Sequence, residues 1–286
     1  MTEPTTVAGQ TALESAPVVA LSRPRGRRGL SRAQRWLLRI GFLVVLLGSW
    51  EIYAAGVSRA LLAPPSAIAV SFYKLYIEKP VMFEALGTTF LALVIGLLIA
   101  VVGGIVLGVA MGVSRHVDWV VGPYISFLFS IPSITLIPLL VVWFGIDIQL
   151  RIVLVVLSAI FPVVINTATG IRLASVDLVE TATSFSASPW RTLVTVRFPA
   201  ALPFVFAGIN LALSLSLAGV VVAEMTATIT GLGGLIITFS NYFLTANLFV
   251  PILTLMAASV GITALVALLE RRAMPWQSVG HRPGRV

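Results

Sequence analysis

Few residues in this chain of 286 could do covalent or acid–base chemistry, and their spacing does not suit catalysis. There is no cysteine, which removes disulfides, thiolate nucleophiles and Cys-ligated metals. The imidazoles are His116 and His281, on opposite halves of the chain, so no histidine metal site is expected. An intramembrane protease or lipid transferase needs a Ser/His pair, paired aspartates or a His/Glu metal constellation, and these residues supply none of them. The lysines are Lys74 and Lys79, and neither follows a glycine-rich loop, so there is no Walker A cradle for ATP. What remains is Glu224, in the run VVVAEM, and a set of hydroxyls: Ser130, Ser133, Thr135, Ser214 and Ser216. An ionisable group among long apolar runs is a functional candidate by default, and these six residues form a candidate path for a polar solute. A helix cap or a hydrogen bond between subunits would account for Glu224 equally well. Asn166 and Asn210 could hydrogen-bond between helices, and plain packing is the better reading for both.

The elements that must position these groups are membrane helices. Hydrophobic residues make up 58% of the chain and charged residues 10%, against roughly 45–50% and roughly 25% in soluble domains. A helix needs about 20 apolar residues to cross the hydrocarbon layer, and six stretches qualify: about 36–55, 83–113, 121–144, 151–171, 203–225 and 248–269. The third contains Pro132 and Pro138 in SIPSITLIP and must kink or break. Backbone groups freed there should be buried in protein or line a cavity, although a merely kinked packing helix fits the residues as well. Residues 61–66 (LLAPPS) break any helix, and 66–79, with aromatics among lysines, suit an interfacial helix. Residues 226–247 are expected to be a loop holding GLGG. The second span carries Gly96, Ala100, Gly104, Gly108 and Gly112 at strict four-residue spacing, a smooth ridge that lets another backbone approach closely.

The net charge of +8 is concentrated in Arg23, Arg25, Arg27, Arg28, Arg32, Arg35 and Arg39, just before the first span. Arginines there are retained on the cytoplasmic side against anionic lipid. No folded reading module follows them, so nucleic acid is not an expected partner. The first span is expected to be an uncleaved anchor, because a polar arm of more than 30 residues precedes it and the run exceeds a usual signal core. An N-terminus inside also places Arg115, Arg172, Arg191, Arg197, Arg271 and Arg272 inside, leaving Arg59, Lys74, Lys79 and Arg151 outside. The expected organisation is a disordered basic cytoplasmic arm (1–35), a first span with an interfacial segment (36–80), a membrane domain (81–272) and a cytoplasmic tail (273–286).

Between the fourth and fifth spans lies a polar insert at about 174–200. Asp177 can cap a helix whose first turn holds Glu180, favoured at the positive end of the helix dipole. Ser186-Ala187-Ser188-Pro189 then interrupts it, because proline disfavours helical geometry in the residue before it. A second helical stretch, about 189–195, leads to Phe198-Pro199. The expected result is a helix-turn-helix elbow, apolar on the side of Leu178, Ala182 and Phe185. An amphipathic connector lying on the bilayer is the alternative.

The stretch ETATSFSASPWRTLVTVRFPAALP resembles the EAA loop of ABC importer permeases, with Glu180, Thr181 and Ala182 at its start and Val196, Phe198 and Pro199 at its end. Ser186 stands where that family has Gly and cannot take a left-handed turn as cheaply. SFLFSIPSITLIPLLVVWFGI, FPVVINTATGIRLASVDLVETA, FPAALPFVFAGINLAL, VVVAEM and GLGGLI are similar to the nitrate/sulfonate/taurine branch over roughly two-thirds of the chain. The resemblance implies an all-α membrane protein with six transmembrane helices, the type I (MetI-like) permease fold. It implies a cytoplasmic coupling loop in which Glu180, Thr181, Ala182, Phe185, Ser186 and Pro199 meet an ATPase. It further implies a multi-pass subunit of the bacterial inner membrane, N-in and C-in, with two cytoplasmic ATPase subunits, a second permease copy and an external solute-binding protein as partners. ATP and Mg would sit on the ATPase, with no cofactor in this chain. The solute would be small and anionic or zwitterionic. The alternative, an ATP-independent secondary transporter, calls for coupling-ion groups and internal repeats, and no convincing repeat relates the two halves.

Overall fold

The computed structural model describes residues 31–275. Among them every regular element is a helix: α1 (Arg32–Ala55), α2 (Pro65–Tyr73), α3 (Val81–Val113), α4 (Arg115–Ser130), α5 (Ile137–Phe144), α6 (Ile148–Arg172), α7 (Val176–Ser184), α8 (Pro189–Thr192), α9 (Phe198–Ala223), α10 (Gly231–Asn241) and α11 (Thr245–Ala273). Short π-helical turns lie at Lys74–Glu78, Leu193–Arg197 and Glu224–Thr228, and a 3-10 turn at Ser133–Leu136. This is what a chain in hydrocarbon must do, since a helix satisfies its own backbone hydrogen bonds. The chain divides into two compact units, 1–48 and 49–286. Of the first, the structure describes only the leading part of α1; most of the basic arm expected over 1–35 lies outside the described residues, as do His281 and the tail from residue 276.

Among the described residues, five helical stretches are long and apolar enough to span a membrane: Ala33–Ala55, Val81–Val113, Ile148–Arg172, Pro189–Ala227 and Thr245–Ala273. The remaining expected span, the third, is broken. α4 ends at Ser130, and Arg115–Ser130 and Ser133–Phe144 are bent by 84°. The two prolines explain the break. Pro132 precedes the 3-10 turn and Pro138 sits in the first turn of α5, both places where a missing N–H costs nothing. Helix direction shows that this bent pair carries the chain back across the layer. Gly96, Gly104 and Gly112 of α3 meet Val155, Val163 and Ile171 of α6 in rising order, so α3 and α6 run parallel. The chain must therefore return between them.

α6 is the centre of the second unit, with α3 on one side and antiparallel α9 on the other. Association of helices in lipid lacks a hydrophobic drive and depends on close contact. Both seams achieve this by omitting side chains. The ridge of Gly96, Ala100, Gly104, Gly108 and Gly112 faces α6, and a Cβ on Gly108 would stand 2.6 Å from Thr167 Cβ and 2.8 Å from the Val164 carbonyl. On the other seam Gly208 faces Asn166 and Val163, and Gly170 faces Ala201 and Phe204. Ala100, Ala159, Val163 and Ala212 fill the centre of this three-helix sandwich.

At the end where α3 begins, Leu75, Met82, Ala85, Leu232 and Val250 form a second core joining α3, α10, α11 and the Lys74–Glu78 turn. Tyr76 stacks on Phe72 and shares a 2.8 Å hydrogen bond with Thr254. The loop expected over 226–247 is largely helical instead, because GLGG starts α10 rather than forming a turn. Asn166 packs against Gly208 of α9, as expected of a packing residue, but its hydrogen bond stays within α6: the amide donates to the Pro162 carbonyl one turn back.

Candidate functional site

Two groups of residues stand out, at opposite ends of the bundle. The first is the elbow between α6 and α9. Ser175 is the N-cap residue of α7, with Asp177 in the first turn rather than at the cap, and neither side chain caps a backbone N–H. α7 ends in a Schellman motif: the Ser186 N–H donates to the Thr183 carbonyl (2.9 Å) and the Ala187 N–H to the Ala182 carbonyl (3.1 Å). That motif demands a left-handed residue at its pivot, and Ser186 occupies it with φ 55°. Glycine takes this conformation without penalty; serine does not. Ser188 then caps α8, its hydroxyl accepting from the Arg191 N–H, with Pro189 in the first turn. Pro199 lies at the start of α9, directly after the π-helical turn Leu193–Arg197.

Val179, Thr192 and Leu193 turn inward toward Val113 at the end of α3, around a cavity of about 320 Å³. The expected apolar side faces the other way. Phe185 is 83% exposed and Trp190 73%, and Val176 and Leu178 are exposed as well, with Glu180 and Thr181 exposed among them. Ala182 is half-buried. Large apolar side chains held in the open on an ordered polar elbow mark a surface for contact with another protein or with the membrane. Trp190 carries no weight in the sequence reading, although an aromatic directly after a capping Ser-Pro was a readable signal. Beside the elbow Arg172 pairs with Asp118 at 2.7 Å, tying the end of α6 to the first turn of α4.

The second group is a buried polar knot centred on Glu224, which has no exposed surface. Its carboxylate accepts from the Thr89 hydroxyl of α3 (2.8 Å), from Arg151 Nη1 of α6 (3.3 Å) and from the Gly233 N–H of α10 (3.0 Å). The Thr89 hydroxyl also accepts from the Leu232 N–H at 3.0 Å. α10 has no side-chain cap from its own N-cap residue, Thr230. Glu224 and Thr89 supply that cap from other helices, and the carboxylate sits where the helix dipole favours negative charge. Arg151, counted above among the outward charges, is 7% exposed and paired inside the protein. Neither Arg151 nor Thr89 is legible as a partner of Glu224, because 73 and 135 residues separate them from it.

The six candidate path residues do not form one lining. Ser130 and Thr135 are exposed at the α4–α5 break and bond to backbone carbonyls of their own turns. Ser133 lines a cavity of about 250 Å³ with Phe129, Ser158, Leu215 and Gly219, so the break faces α6 and α9 across open space. Ser214 is exposed on α9 and bonds to the Asn210 carbonyl. Ser216 and Glu224 are fully enclosed, and the Ser216 hydroxyl has no hydrogen-bond partner among the described residues. Among those residues no group of three His, Cys, Asp or Glu could hold a metal ion.

This architecture matches known transport proteins. Residues 100–275 match the family model described as "Binding-protein-dependent transport system inner membrane component". The chain is 33% identical over 259 residues (89% of it, 96% of the relative) to SsuC of Escherichia coli, provisionally named an aliphatic sulfonates transport permease protein. It is 28% identical over 244 residues (85% and 88%) to the Bacillus subtilis protein of the same name. To the taurine transport system permease protein TauC of Escherichia coli it is 28% identical over 255 residues (84% and 89%). The chain is a multi-pass membrane protein and belongs to the family of binding-protein-dependent transport system inner membrane components, the ABC transporter permeases.

Proposed function

We propose that this chain is the membrane-spanning subunit of an ATP-driven importer for a small anionic or zwitterionic solute of the nitrate, sulfonate or taurine kind. Two copies enclose the path, an external solute-binding protein delivers the solute, and two ATPase subunits carrying ATP and Mg dock on the elbow. The observation that carries this reading is the elbow itself. It is held by its own caps and a left-handed pivot, and it presents Phe185, Trp190 and Glu180 outward rather than to its own bundle. The names of the sulfonate and taurine relatives support the solute class. The charges support an N-in, C-in orientation. The end bearing the elbow also bears Arg115, Arg172, Arg191, Arg197, Arg271 and Arg272, and burial of Arg151 removes one arginine from the opposite tally. The basic arm and tail then lie in the cytoplasm.

The test is the double variant Glu180→Ala with Phe185→Ala in the reconstituted complex, measured by solute-stimulated ATP hydrolysis alongside uptake. Loss of a buried aromatic anchor at an interface costs about 2 kcal/mol or more, so stimulation should fall at least about tenfold while the identity of the solute is unchanged. Unchanged stimulation and uptake would reduce the elbow to a connector.

A further inference from the structure

The segment joining α9 to α10 combines three irregularities. Glu224–Thr228 is a π-helical turn, a form that recurs at functional sites. Ile229 follows in the left-handed region at φ 46°, a conformation that β-branched side chains avoid. Gly231 is left-handed at φ 66°, and a side chain there would collide with the Glu224 carboxylate and the Thr89 hydroxyl. A segment strained in this way persists only if something holds it.

What holds it is incomplete. The Glu224–Arg151 contact is 3.3 Å long, and Arg151 Nε is buried with no hydrogen-bond partner among the described residues. A half-satisfied buried ion pair is poor cement, and its best-attested use is to specify one of two arrangements. α10 also has room beside it. Val81, Ala85, Thr88, Thr230, Leu235 and Thr238 surround a cavity of about 250 Å³ between α3 and α10.

We propose that Glu224 is a positioning residue for transport: it latches α10 to α3 and α6, and residues 224–231 are the hinge on which α10 swings away during the transport cycle. The latch consists of the Gly233 N–H, the Thr89 hydroxyl and the Arg151 guanidinium, all converging on one carboxylate. Release exchanges these contacts for relief of the strain at Ile229. The inference rests on the ATP-driven reading above.

Thr88→Cys and Leu235→Cys place one thiol on each side of the cavity in a chain that has no other cysteine. A short bis-methanethiosulfonate tether closed across them in the proteoliposome complex should cut uptake at least about tenfold, and reduction should restore it. A tethered complex that transports at the untethered rate overturns the proposal. If the untethered complex itself shows no ATP-dependent uptake, the importer reading fails instead. Glu224→Gln keeps the shape of the side chain but removes the charge that draws Arg151. In nanodiscs without nucleotide, it should raise the rate of maleimide modification of Leu235→Cys about tenfold, corresponding to about 1.4 kcal/mol of lost latch. An unchanged rate in an assembled Glu224→Gln complex also overturns the latch. If that variant does not assemble, the tether decides alone.

Discussion

Gly104→Ala and Gly108→Ala test whether the α3–α6 seam is set by backbone contact. A Cβ on Gly104 would lie 2.8 Å from Val163 Cβ and Cγ1, and one on Gly108 would lie 2.6 Å from Thr167 Cβ. Carbon atoms prefer about 3.5–4.0 Å, so each methyl is about 1 Å too close, and both neighbours are β-branched and stiff. Overpacking of this kind costs about 1–3 kcal/mol, and the better helix propensity of alanine returns up to about 1 kcal/mol. The net expectation is a loss of about 1–2 kcal/mol per site. The double variant should lose less than the sum, because helices already parted for one methyl accommodate the second. The same helix supplies its own controls. A Cβ on Gly87 meets nothing within 4 Å, and one on Gly103 meets only Ile160 Cδ1 at 3.7 Å. Gly87→Ala and Gly103→Ala should be neutral or stabilising. The assay is thermal unfolding in nanodiscs followed by tryptophan fluorescence, with Tm falling by roughly 2–8 °C at each ridge site at about 2–4 °C per kcal/mol. Equal Tm values across the four variants, or controls that fall as far as the ridge sites, would refute the reasoning.

The Schellman pivot gives a second test. Ser186→Gly should relieve about 1 kcal/mol of left-handed strain and slow amide exchange over 185–188 up to about fivefold, and Ser186→Val should accelerate it. Equal exchange in all three chains would contradict the pivot. In the polar knot, Thr89→Val removes the donor to Glu224 and the acceptor for Leu232 N–H, leaving buried groups unpaired at a cost of about 1–3 kcal/mol. Thr88→Val should stay within about 0.5 kcal/mol, since its hydroxyl bonds only to Ala85 of its own turn. Arg151→Met should destabilise by about 3–5 kcal/mol by stranding the Glu224 charge, and adding Glu224→Gln should recover part of that loss.

What sequence reveals here follows the range of the forces involved. Span positions are legible because each span satisfies its backbone internally, so composition alone decides where a helix lies. The ridge of Gly96, Gly104 and Gly108 is legible as a contact surface, since four-residue spacing places it on one face. Its partner is not, because nothing local to α3 designates Val155, Val163 and Thr167. The proline-rich third span shows that something must give at Pro132, but the 84° bend depends on what α6 and α9 allow. The elbow is readable in part: its interruption at Ser186-Ala187-Ser188-Pro189 is local chemistry, but the expected Asp177 cap is not made, and the left-handed pivot falls on Ser186, a residue type that disfavours it. Glu224 is the opposite case. Its role is set by Thr89, Arg151 and Gly233, which only the folded bundle brings together, and α10 is hidden from propensity because its cap comes from other helices.

The elbow and the polar knot lie at opposite ends of a single helix. α9 begins directly after the elbow, at Phe198, and ends at Ala223, next to Glu224. Its 26 residues span about 39 Å. Along that length Gly208 and Gly219 lie directly against α6, and Gly170 of α6 lies directly against α9, so the two helices cannot slide past one another without breaking close contacts. α6 in turn holds Arg172 at the elbow end and Arg151 at the knot. A load applied to Phe185 and Trp190 therefore has a stiff route to the carboxylate that caps α10, and no soft loop lies in between to absorb it. Stiffness alone does not couple two sites; coupling needs an element with two arrangements that both sites bias. The strained turn at 224–231 and its half-satisfied ion pair provide that element at the far end of the rod. If the elbow receives an ATPase as proposed, the glycine seams do more than adhere: they let a displacement of the elbow reach a hinge that a softer packing would leave undisturbed.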